Sequence, residues 1–193
     1  MDTAFGIAVT SFLVGLSGAM MPGPVLTVTI GETVARLRRG GSEHDRGRLV
    51  RGALAGPLVV LGHGALEVCL VIAVVLGLGT LLRQDLVVGW IGILGGAVLV
   101  WMAWEMFRGL GVLRLNTAAG DEERRRHPVL AGILTSLSNP YWAVWWATIG
   151  LGYIALSLKL GTVGLVAFYC GHILSDLVWY GAISFSLVLG HRL

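Results

Sequence analysis

The residues from Ala4 to Gly31 form an uncharged run of about 28, long enough to cross a bilayer, and Met21-Pro22-Gly23-Pro24 stands inside it. Two prolines remove two backbone donors, and Gly23 adds freedom where a helix needs order. In hydrocarbon the freed carbonyls are costly unless protein or a water-filled cavity satisfies them. A second break, Ser138-Asn139-Pro140, interrupts another long apolar run. Two broken spanning helices in corresponding positions are the usual sequence pointer to a transporter's binding site.

The rest of the chain agrees with a membrane setting. Hydrophobic residues make up 55% and charged residues 13%, about half the charged share of a soluble domain. The long apolar segments lack the polar face of period 3.6 that a soluble core helix carries. The expected fold is an all-α integral membrane protein with helices over 4–31, 52–81, 86–108, 129–157 and 161–189. Cys69 and Cys170 fall within these spans and read as small apolar residues. Gly92, Gly95 and Gly96, with Trp101 and Trp104, read as packing contacts of the third helix.

Charge sets the orientation. Arg36, Arg38, Arg39, Arg46, Arg48 and Arg51 lie between the first two helices, and Arg108, Arg114, Arg124, Arg125 and Arg126 between the third and fourth. The alternate connections hold only Arg83 and Lys159. The positive-inside bias predicts that loops 32–50 and 111–128 are cytoplasmic and the N-terminus outside, in a multi-pass protein of the cell membrane. Basic residues confined to short connections do not make a nucleic-acid surface. The partners expected are a small-molecule substrate and the lipid bilayer, with no nucleic acid, no cofactor, and self-association into a homo-oligomer left open.

A weak internal repeat is visible. Gly62-His63-x-x-x-Glu67 in the second helix is echoed by Gly171-His172-x-x-x-Asp176 in the fifth, and each half opens with a proline-broken helix. A three-helix unit begun outside and repeated once is inverted the second time, as in many secondary transporters. The expected organisation is a first repeat over 1–110, a linker over 111–128 and a second repeat over 129–193, with a sixth helix expected beyond Leu193.

Histidine and acid four apart share one helix face, and both pairs fall near mid-membrane. Ionisable groups there face a cavity or a partner and commonly mark an ion path. His63, Glu67, His172 and Asp176 are therefore candidate proton-coupling residues; packing of each histidine on its own helix's carboxyl is the plain alternative. Two imidazoles and two carboxylates also make a possible set of ligands for a divalent transition cation. The half-helices after the breaks present positive dipole ends suited to a carboxylate. Candidate substrate-binding residues are Pro22, Gly23, Pro24, Thr27, Asn139, Pro140 and Trp142.

Ser17-Gly18-Ala19-Met20-Met21-Pro22-Gly23-Pro24 and Ser138-Asn139-Pro140 resemble the signatures of the LysE/RhtB amino-acid exporters. That resemblance implies a six-helix inner-membrane exporter of amino acids or related small solutes, driven by a proton or ion gradient. The chain has Tyr141 where the family's second motif commonly has lysine, and the His-x-x-x-acid pairs are not a known mark of its best-known exporters. Two rivals stand beside this: a divalent-cation transporter of the same architecture, and an intramembrane enzyme using the His/acid cluster. No nucleophile motif supports the enzyme.

Overall fold

The computed structural model describes residues 3–38, 46–78, 84–109 and 127–190. Every regular element among them is a helix. Helix α1, Ala4–Ala19, starts where the Thr3 hydroxyl accepts a hydrogen bond from the Gly6 amide at 3.1 Å. It ends before the Pro-Gly-Pro, and α2, Pro24–Arg38, leaves at 75° to it. Pro24 begins α2 where a helix needs no donor. After it, α3 (Arg46–Ala53) and α4 (Ala55–Ala73) run on through a wide turn at Val74–Leu78. Together they make one helical rod, Arg46–Gly77, of 32 residues, with its arginines at the Arg46 end and an apolar stretch beyond Arg51. Helix α5 is Asp85–Gly109.

The described chain resumes at His127. Helix α6, Pro128–Leu137, stops at Ser138. The Asn139 side chain caps α7, Pro140–Trp145, by accepting from the Tyr141 amide at 3.1 Å. A wide π-type turn, Trp146–Gly150, leads into α8, Leu151–Ser157. The chain then turns back at Gly161, whose φ of 62° suits a residue without a side chain, into α9, Gly161–Gly190.

Several expected boundaries need correction. The segment 32–50 is not a loop throughout: α2 continues to Arg38 and α3 begins at Arg46, while 39–45 lies outside the described residues. Polar composition there is compatible with helix because Thr33 and Leu37 are buried, and Arg36 pairs with Glu32 one turn away at 3.6 Å. The second helix accordingly starts six residues before position 52, at Arg46. Pro128, assigned to the linker, is the first residue of α6; 110–126 lies outside the described residues. Trp101 and Trp104 are exposed rather than packed, and nothing lies within 4 Å of where a side chain on Gly96 would begin. Among the described residues, helix α5 meets the rest of the protein chiefly through α7.

Large apolar side chains cover the outside, and polar ones join the buried apolar core. Leu13, Leu61, Ile72, Val163, Leu174 and Phe185 are exposed, whereas Ser11, Thr33, Glu67, Ser136, Asp176 and Ser184 are buried. Such a surface is stable against lipid and costly against water. Small residues draw the helices close. A side chain on Gly171 would strike the Ala8 carbonyl of α1, and one on Gly62 would strike the Val129 carbonyl of α6. Thus α9 lies along α1, and α4 along α6. The Ser11 hydroxyl adds a 2.7 Å bond from α1 to the Phe168 carbonyl.

Candidate functional site

The glycine that opens each Gly-His-x-x-x-acid motif seats its helix against the opening arm of a broken helix. The histidine and acid that follow then turn inward. His63 and Glu67 come from the middle of the Arg46–Gly77 rod, and His172 and Asp176 from the middle of α9. One ligand atom from each of the four lies within 4.8 Å of all the others. His63 Nε2 is 3.0 Å from Glu67 Oε1 and 3.4 Å from Asp176 Oδ2. His172 Nε2 is 3.3 Å from Glu67 Oε1 and 3.9 Å from Asp176 Oδ2. The i, i+4 spacing forms each pair; the crossing of α4 and α9 joins the two pairs.

Neighbours orient this cluster. Trp142 and Trp146, one turn apart, donate their indole N–H groups to Glu67 Oε1 at 3.1 and 2.9 Å. The Ser136 hydroxyl donates to the Gly132 carbonyl at 2.7 Å, so its oxygen is free to accept from His63 Nδ1–H at 2.6 Å. That bond fixes which imidazole nitrogen faces the carboxylates. The His172 ring stacks on Trp145 with centroids 4.5 Å apart, and Phe168 lies parallel to it at 6.1 Å.

A cavity of about 100 Å³ opens beside the cluster. Its wall includes all four cluster residues, Met21 through Val25 of the first break, Asn139, Tyr141 and Trp142 of the second, and Gly15, Gly18, Tyr180, Trp145 and Trp146. Both helix breaks and the buried ionisable groups therefore share one space. Its chemistry is mixed: two carboxylates, two imidazoles, indole faces and the amino end of α2. The amide of Tyr141 is already taken by Asn139, so the second break offers less free backbone than the first.

Among the residues expected from sequence, Pro22, Gly23, Pro24, Asn139 and Trp142 line the cavity, whereas Thr27 and Pro140 do not. Thr27 is exposed, and its hydroxyl donates to the Gly23 carbonyl at 3.2 Å, the same carbonyl that accepts the Thr27 amide at 3.1 Å. Pro140 acts one step back, as the first residue of α7. Ser136, Trp145, Trp146 and Tyr180 were not among the expected site residues. Trp146 and Tyr180 carried a usable signal, since each follows a site residue by four on the same helix. Ser136 carried none, because its partner is 73 positions away.

The family model for the LysE type translocator matches residues 48–191. The chain belongs to the LysE type translocator family. The match takes in the second break and both His-x-x-x-acid motifs, and begins after the Pro-Gly-Pro. No curated protein and no solved structure matches the chain. This LysE-type translocator is thus a helical membrane protein of a transport family.

Proposed function

We propose that the protein is a secondary transporter of the cell membrane, an exporter of amino acids or related small solutes driven by an ion gradient. The observation that carries this reading is the cavity shared by both helix breaks and the four buried ionisable residues. Solute sits between the breaks, against the amino end of α2 and the indoles, which supply apolar contact. His63, Glu67, His172 and Asp176 hold the coupling ion, a proton in the simplest form of the reading, close enough to the solute for each to alter the other's binding.

An inverted repeat supports alternating access. The Gly62-His63 helix is seated on α6 and the Gly171-His172 helix on α1, each pairing one repeat's intact helix with the other repeat's opening arm. The repeats are 1–110 and 129–193, joined by 111–128. Rocking one against the other would expose the cavity to each side in turn. In this topology the N-terminus is outside, and the arginine-rich segments 32–50 and 111–128 face the cytoplasm.

The test is transport by purified protein in proteoliposomes with an imposed pH gradient, across a panel of amino acids and small amines. Uphill movement of at least one solute, abolished when the gradient is collapsed, is the expected result. Gradient-independent flux of every solute, or none of any, would refute coupled export.

A further inference from the structure

We infer that His63, Glu67, His172 and Asp176 form a tetrahedral binding site for a divalent first-row transition cation of the Zn²⁺ and Co²⁺ class. This deepens the transport reading, because the ion would sit in the wall of the proposed solute path.

The geometry is the first reason. Nitrogen and oxygen ligands lie about 2.0–2.2 Å from such an ion, so the edges of its tetrahedron are about 3.3–3.5 Å. The four imidazole–carboxylate separations are 3.0, 3.3, 3.4 and 3.9 Å. A single proton bridges one nitrogen and one oxygen; it does not account for four groups converging at this spacing.

The hydrogen bonding is the second reason. Because His63 donates Nδ1–H to Ser136, a neutral His63 turns the lone pair of Nε2 toward two carboxylates. A cation placed between them turns that repulsion into attraction. Glu67 Oε2, the oxygen the indoles leave free, is buried without a hydrogen-bond partner, as is Asp176 Oδ2 although it lies 3.4 Å from His63 Nε2, and Glu67 is only 1% exposed on the cavity wall. Buried carboxylate oxygens left open beside two imidazoles are what a cation would fill.

Charge agrees, and so do the outer contacts of His63 and Glu67. Two carboxylates neutralise one divalent ion while both imidazoles stay neutral, leaving no net charge in a low-dielectric interior. Ser136 behind His63, and the Trp142 and Trp146 indoles on Glu67, are the kind of supporting bonds that orient metal ligands. The mixed nitrogen and oxygen set, without thiolate, favours a transition metal over Mg²⁺ or Ca²⁺, which take oxygen shells of six or more.

The test uses full-length protein in detergent, with Cys69→Ala and Cys170→Ala removing the two exposed thiols. Titrated Co²⁺ should give the intense visible bands of tetrahedral coordination at one ion per chain. Equimolar Zn²⁺ should erase them, and excess Mg²⁺ or Ca²⁺ should not. Glu67→Gln and Asp176→Asn, checked for helical content and monodispersity, should each weaken binding at least tenfold. Absence of tetrahedral bands in the parent protein, which needs no variant to fold, overturns the inference. So do unchanged affinities in both variants. Proteoliposomes freed of metal by chelator keep the two claims apart. Solute export without Co²⁺ binding would leave the transporter reading intact and remove the metal site. Co²⁺ binding with no solute transported would keep the site and sink the solute reading.

Discussion

Removing the Ser136 hydroxyl isolates the contact that aims His63 at the carboxylates. Ser136 is fully buried and accepts from His63 Nδ1 at 2.6 Å, and His63 itself is 7% exposed. In Ser136→Ala that N–H keeps its burial and loses its acceptor, a penalty of about 1–3 kcal/mol. The matched control is Ser138→Ala, two residues along. Its hydroxyl is exposed and donates only to the Thr135 carbonyl of its own helix, at 3.2 Å, so its loss should stay within about 0.5 kcal/mol. Thermal unfolding in mild detergent, followed by tryptophan fluorescence, should separate the two variants clearly. Export per folded molecule should separate them further. With the imidazole free to turn over, the site loses its fixed tautomer, and a tenfold or larger fall is expected on the scale of about 10–100-fold seen for supporting contacts at metal sites. Equal stability and equal export in the two variants would refute the claim that Ser136 orients His63.

Glu67→Gln and Asp176→Asn should abolish gradient-driven accumulation while leaving solute binding measurable, since the amide keeps the shape but not the charge; uphill transport at the parent rate in both would remove the coupling role. Thr27→Val should leave export unchanged, because the Thr27 side chain stands off the cavity, and a large rise in the solute concentration giving half-maximal export would contradict that placement. Gly62→Ala and Gly171→Ala should each destabilise by about 1–3 kcal/mol through forced helix separation, whereas Gly31→Ala, with open space beside it, should be neutral or stabilise by roughly 0.5–1 kcal/mol in the same thermal assay. Single cysteines at Ser42 and Ala118, in a background lacking Cys69 and Cys170, should resist a membrane-impermeant thiol reagent in intact cells, and labelling without permeabilisation would invert the topology.

Some of the architecture needs no partner to be decided. A proline has no N–H whatever surrounds it, so Pro22, Pro24 and Pro140 end or open helices by local chemistry alone. Likewise His63 with Glu67, and His172 with Asp176, share a face by helical period, and long apolar runs require a membrane. Helix ends in polar sequence were less legible. Glu32 to Arg38 looks like a loop by composition, and it is helical where Thr33 and Leu37 find a buried face.

What only the tertiary structure decided is the convergence. Nothing in the spacing of two i, i+4 pairs says that α4 and α9 cross so that the pairs merge within 4.8 Å. That depends on Gly56 and Gly64 of α4 allowing close contact with Tyr180 and Ile173 of α9, each far away in the chain. The choice of Ser136 over Ser138, and the turning of Thr27 away from the cavity, follow from the same cause. Which side of a helix faces inward is set by the neighbours it packs against, and those neighbours exist only once the chain has folded.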